Sequence, residues 1–177
     1  MDIVPAMTPQ TITLAVIAPA MRSVMIDIAA QIAVERPLLI LDGGNWFDAF
    51  YFAREVRRRT VDMEHVLNCV EVARAFTCYQ MVSLLGKTQA AQGSILILDM
   101  LATFYDDAIT TAESYRLVRN CLVYIRGLGV HAPLAICVHP PPPDQSERAG
   151  LIDALCNIAD TIFSEEQEQP MITARLF

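Results

Sequence analysis

The sequence predicts an α/β fold of three layers: a mostly parallel sheet, helices on both of its faces, and a C-terminal antiparallel hairpin. Three observations predict it. Short apolar runs rich in Val, Ile and Leu alternate five times with longer stretches whose apolar residues recur at helical spacing. Runs such as "LLIL" and "ILIL" are apolar at every position, the pattern of a strand buried on both faces. The chain has 177 residues, of which 54% are hydrophobic and 19% charged, which suits one domain, 1–177, with a large core. Parallel neighbours need crossover connections, and the helical stretches between the runs supply them.

The elements follow in order. "TLAVIA" is the first strand. In "MRSVMIDIAAQIAVE" Met21, Val24, Met25, Ile28, Ala29 and Ile32 share a helical face. Pro37 opens the second strand, "LLILDGG". "WFDAFYFAREVRRR" reads as a helix with an aromatic face and a basic end. Trp46, Phe50 and Phe47 are expected against the sheet and Tyr51 elsewhere, with Asp48 complementing the helix start. An apolar surface on more than one side suits either a subunit interface or the core alone. "NCVEVARAF" is the third strand. "TCYQMVSLLGKTQAAQ" is a helix that Gly86 is expected to cap, with Lys87 beside the C-terminal dipole. "SILILDM" is the fourth strand. "TTAESYRLVRNCLVYIRGLG" is a long helix, begun by Thr110 or Thr111 and ended by Gly127 and Gly129. "APLAICVHP" is the fifth strand, and the four prolines from Pro140 to Pro143 make an exposed loop. "RAGLIDALCNIA" is a short helix. "DTIFSEEQEQPMITARLF" reads as two strands around a polar turn, an antiparallel hairpin at the sheet edge.

Composition narrows the function. A net charge of −7 gives the whole molecule no field that attracts nucleic acid or an acidic membrane. One basic cluster stands out: Arg54, Arg57, Arg58 and Arg59. It is either a solvated helix end balanced by Asp62 and Glu64, or a contact for a partner or a DNA backbone; Trp46 is a further candidate contact. The five cysteines are scattered without a CxxC pair and read as small buried hydrophobes of a reducing compartment. His65, His131 and His139 lack ligand spacing, so no metal site is expected. No apolar run approaches a membrane span, and no basic stretch leads into an apolar one at the N-terminus. An intracellular protein, of cytoplasm or nucleus, is the expectation.

Ligands of open α/β sheets bind beyond the carboxyl ends of the strands, which points to residues 18–23, 42–46, 99–107 and 139–144. Gly86-Lys87-Thr88 spells the end of a phosphate-binding loop, yet it follows a helix, precedes a strand, and has Met81 where the upstream glycine belongs. The strand-to-helix junction where such a loop would sit is "IAPAMRSVM". It has no glycine, and Pro19 removes an N–H that a phosphate cradle uses. Arg22-Ser23 echoes the Lys-Ser of that loop, but a guanidinium is a planar fork and not a compact ammonium.

Three blocks in order carry a resemblance: "LLILDGGNWF", "CVEVARAFTCYQMVSLL" with its Ala73-Arg74-Ala75-Phe76 and Leu84-Leu85, and "SILILDMLATF". Together they resemble the core of the RecA/RadA recombinase superfamily over roughly residues 11–139. The resemblance implies a RecA-like, P-loop NTPase-like fold. In it Asp42 matches a strand-ending acid, Gly44 stands where the family has its catalytic glutamate, and Asp99 matches the magnesium-strand acid. Val138-His139-Pro140 stands in place of a polar sensor. Loop, lysine, glutamate and sensor all depart from the family pattern, which implies a degenerate paralogue lacking the Walker A loop. Such a paralogue has no catalytic residues and no cofactor, and Arg22, Ser23 and Asp99 are its vestigial nucleotide positions. The family binds DNA through loops after the fourth and fifth strands. Here the first, "YDDAITTAES", is acidic, and the second, "PPPPDQSERAG", has only Arg148 as a cation.

The implied function is that of a non-catalytic recombinase paralogue. It would be an accessory or scaffold subunit in DNA repair and recombination, held by protein–protein contacts to another RecA-like subunit or to itself, with weak or indirect DNA contact and no membrane. Two alternatives stay open. One is an ATPase with an unconventional site at Arg22, Ser23 and Asp99, using ATP and magnesium. The other is a regulatory RecA-like module unrelated to DNA.

Overall fold

A computed structural model describes residues 3–89 and 93–164. Its strands are β1 (Ile12–Val16), β2 (Leu38–Asp42), β3 (Val70–Arg74), β4 (Ser94–Leu98), β5 (Leu134–Val138) and β6 (Thr161–Ser164). They form one sheet in the order β3-β2-β4-β5-β1-β6, with every neighbouring pair parallel. The helices are α1 (Arg22–Glu35), α2 (Ala49–Arg59), α3 (Met63–Asn68), α4 (Cys78–Lys87), α5 (Thr111–Gly129) and α6 (Gly150–Cys156).

The topology explains the layers. From β1 through β2 to β3 the chain moves toward one sheet edge, crossing over by α1 and then by α2 and α3. From β3 to β6 it moves back, by α4, α5 and α6. Crossovers between parallel strands are right-handed, so reversing direction puts the second set of helices on the opposite face. Two cores result. Leu134, Ile136 and Val138 of β5 meet residues of α4, α5 and α6 such as Met81, Ile125 and Leu155. Ala135 and Cys137 of the same strand join residues of α1 and α2 such as Ile28, Phe52 and Val56. A strand facing two cores has no polar side, which is why the runs read as continuously apolar.

The structure corrects four expectations. The stretch expected to begin an antiparallel hairpin forms β6, reached by the α6 crossover and paired parallel to β1; the expected second strand lies outside the described residues. Gly86 does not end its helix: α4 continues to Lys87 and is capped at Thr88, whose hydroxyl donates to the Leu84 carbonyl at 2.9 Å. Gly86 is instead where the Tyr124 ring packs closely: a Cβ would stand 3.1 Å from its Cζ, and the ring would have to give by a few tenths of an ångström. Helix α3 was not expected; Asp62 caps it by accepting from the His65 N–H, a signal hidden beside the third strand. Finally, Phe50 is 92% exposed, whereas Trp46, Phe47 and Phe52 are buried. Asp48, as N-cap, accepts from the N–H groups of Phe50 and Tyr51 and so starts α2 after Trp46 and Phe47, which therefore lie outside the helical period.

Candidate functional site

Because β1, β4 and β5 are adjacent or nearly so, the residues just past their carboxyl ends converge. The chain leaves β1 toward the α1 face and β5 toward the α5 face, so the two connections diverge at the place where open α/β sheets form a ligand crevice. Asp99 is the first residue beyond β4 and His139 the first beyond β5. Their side chains meet: His139 Nδ1 lies 2.6 Å from Asp99 Oδ1, with the Asp99 side chain 2% exposed and that of His139 20%. Asp99 adopts a positive φ of 47°, a left-handed conformation that aspartate tolerates better than most residues. Its N–H donates to the Cys137 thiol sulfur at 3.2 Å.

The loop after β2 closes over this pair. A Cβ on Gly44 would stand 2.2 Å from Asp99 Oδ2, and one on Gly43 2.6 Å from the Met81 methyl. Both glycines are there for close approach, since neither has a positive φ. Beyond them Trp46 sets its ring 6.4 Å from the imidazole of His139, 20° from parallel, and Tyr105 meets the same imidazole edge-on at 5.3 Å. Tyr105 also donates its hydroxyl to the His139 carbonyl at 3.0 Å. Burial, followed by the Asp99 charge, pushes the Tyr105 phenol well above its ordinary range. Arg22, at the start of α1, donates Nε to the Trp46 carbonyl at 2.6 Å.

Asp42 is buried and spent on structure. Its carboxylate accepts from the N–H groups of Trp46 and Phe47, each at 2.9 Å, and pairs with Arg74 Nε at 3.1 Å. Arg74 also donates to the Phe47 carbonyl. The strand-ending acid thus shapes the 43–47 loop.

Of the residues singled out from sequence, Arg22, Trp46 and Asp99 come together here through Trp46 and His139. Ser23 is exposed in the first turn of α1. Trp46, a candidate partner contact, is only 7% exposed. The arginine cluster lies apart, on α2, and its balance differs from the expected one. Glu55, buried on the same helix, accepts from Arg54 at 3.3 Å, Arg58 at 2.8 Å and Arg59 at 3.2 Å. Arg59 reaches Asp27 of α1 at 2.6 Å. Arg57 is exposed.

No local pattern in the sequence pairs His139 with Asp99, Arg74 with Asp42 or Tyr105 with His139. The available signal was positional: Asp99 and His139 each follow an apolar strand directly, and residues just past adjoining parallel strands are neighbours.

The loops that follow β4 and β5 are bound to each other. Arg148 is 4% exposed and donates to the carbonyls of Phe104, Asp106 and Ile109 at 2.7, 3.0 and 2.6 Å. Gln145 donates to Asp107, and Thr111 to Glu147 at 3.3 Å. The one cation expected in the second loop therefore points inward.

A groove of about 570 Å³ lies at the other end of the strands, lined by Pro37, Leu39, Glu71, Ala73, Leu84 and Lys87 among others. The groups that can exchange protons or bind charge gather instead at the carboxyl ends, and we assign the candidate site there. Among the described residues no three His, Cys, Asp or Glu side chains converge to hold a metal ion, and no helix is long and apolar enough to cross a membrane. Comparison with protein-family models finds no match for this chain, and comparison with curated proteins finds none.

Proposed function

We propose that this chain is a non-hydrolysing RecA-like subunit that acts through protein–protein contacts, in the setting of DNA repair and recombination that the resemblance implies. The observation that carries the reading is the commitment of Asp99. The acid matching a magnesium ligand is held by His139, and the position of the family's catalytic glutamate, Gly44, is closed by that same carboxylate. A longer residue at position 44 could not coexist with the pair. The junction from β1 to α1 runs through a turn of 3-10 helix begun by Pro19, not through a glycine loop. A parallel sheet between two helical layers accommodates a RecA-like layout. The bonded loops after β4 and β5 favour a rigid surface over mobile DNA-gripping segments.

The test combines two measurements. Purified protein is assayed for Mg-ATP turnover, and it is co-expressed with a hydrolysing RecA-like protein of the same genome and analysed by size-exclusion chromatography. The expected result is no turnover and a co-eluting complex. Turnover that disappears in Asp99→Asn would sink the reading and select the unconventional ATPase. A failure to engage any RecA-like protein would favour a regulatory module unrelated to DNA.

A further inference from the structure

We infer that the crevice between β1 and β5 binds a small organic carboxylate, held between Arg22 and His139. The inference goes beyond the reading above and does not depend on it.

Two charged or polar side chains flank the crevice, each anchored by one atom and free at the rest. Arg22 is fixed through Nε to the Trp46 carbonyl at 2.6 Å. Its two terminal nitrogens make no hydrogen bond among the described residues, and the residue is exposed. His139 is fixed through Nδ1 to Asp99. Its Nε2 has no hydrogen-bond partner among the described residues and is not among the polar atoms sealed from solvent. Trp46 joins the two, by its carbonyl to Arg22 and by its ring to His139. Side chains held at one atom with the others unspent are preorganised to receive a ligand, because the rotamer entropy is already lost.

The chemistry of the flanks selects the ligand. The terminal nitrogens of a guanidinium form a planar fork that fits a carboxylate. Imidazole Nε2 takes a hydrogen bond from a ligand hydroxyl when neutral, or gives one to an oxygen when protonated. Behind the imidazole lies Asp99, bonded to Nδ1, and against its charge a monoanion is repelled less than a dianion such as phosphate. The crevice also offers no glycine loop of N–H groups to cradle a phosphate.

Trp46 is the only tryptophan, so its emission reports on the site. The experiment titrates the full chain with sodium lactate and sodium glycolate, whose hydroxyl can donate to Nε2 while the carboxylate meets Arg22, and with phosphate and chloride at matched ionic strength, following Trp46 fluorescence and ligand-observed NMR. A saturable response to a carboxylate is expected, weakened at least ten-fold in Arg22→Gln and in His139→Gln and unchanged in Arg57→Gln. Arg22 is exposed, so its variant tests the idea even if the His139 variant does not fold; circular dichroism checks both. Absence of saturation, an equal response to chloride, or full binding by Arg22→Gln overturns the inference. Phosphate binding tighter than either carboxylate overturns the ligand class. Mg-ATP turnover alongside intact carboxylate binding would remove the non-hydrolysing reading and leave the crevice standing.

Discussion

Asp99 is held by one strong partner, so removing that partner should be costly. His139→Ala leaves a buried carboxylate without its hydrogen bond. A loss of about 2–3 kcal/mol is expected by urea denaturation, below the range for fully buried pairs because the imidazole touches water. Asp99→Asn keeps an oxygen acceptor and should cost less, under about 1.5 kcal/mol. The reverse order of the two losses would show that the pair is not held as described. The glycines give a second pair of outcomes. Gly44→Ala drives a Cβ into Asp99 and should cost about 1–3 kcal/mol, an overpacking loss. Gly127→Ala on α5 meets nothing within 4 Å and should stabilise by about 0.5–1 kcal/mol, the helical advantage of alanine over glycine. Asp99 was legible in the sequence as a strand-end acid, but its partner was not. His139 is 40 residues away, and only the adjacency of β4 and β5 brings them together.

Among the elements, α2 shows how local signals and tertiary burial divide the work. Its basic end and its aromatic content are plain in the sequence, and the Asp48 cap obeys the usual N-cap chemistry. Which aromatic is buried was not legible, because the cap position sets the helical phase and leaves Phe50 outside. The inward position of Glu55 follows from the same phase. Burial works to raise the Glu55 carboxyl, but hydrogen bonds from Arg59, Arg58 and Arg54, with the Arg58 charge, outweigh it and hold the carboxyl below its ordinary value. A depressed folded-state value means that the unfolded chain takes up this proton first as pH falls. The stability Glu55 contributes is therefore full above its unfolded value and is lost as pH falls through the lower, folded one. Thermal melts of the native chain and of Glu55→Gln between neutral and acid pH check this. The native chain should lose more of its melting temperature on acidification, and parallel curves would contradict the assignment. At the other sheet edge, the "DTIF" stretch reads equally well as either kind of strand. Its parallel pairing depends on α6 crossing the sheet first, a choice no local pattern encodes.

For the whole molecule, two cores share a single sheet, so their unfolding should be coupled. One cooperative transition is expected, with tryptophan fluorescence and circular dichroism coinciding. Cysteine accessibility gives a sharper test. Cys78, Cys121 and Cys137 are buried, whereas Cys69 and Cys156 are half-buried. Burial pushes the Cys121 thiol up to about 12, and the thiolate is the reactive form. An aromatic disulfide reagent should label Cys69 and Cys156 in the native protein and all five cysteines in urea. Rapid native labelling of Cys121 would mean that the α4–α5 layer opens.

By itself the sequence determined the class of architecture. Runs apolar at every position, separated by helical stretches, can be satisfied only by strands covered on both faces, since burial requirements are written in local period and composition. It also shows that the junction after β1 has no glycine and carries Pro19, whose nitrogen has no hydrogen to donate. Only the tertiary structure decided how the remaining polar groups are used. The order of strands, the direction of each crossover and the close passage of Gly43 and Gly44 over β4 bring Asp99 to His139, Asp42 to Arg74 and Arg22 to Trp46. Pairings between residues far apart in the chain depend on which strands become neighbours, a property of the packed sheet and not of any one segment.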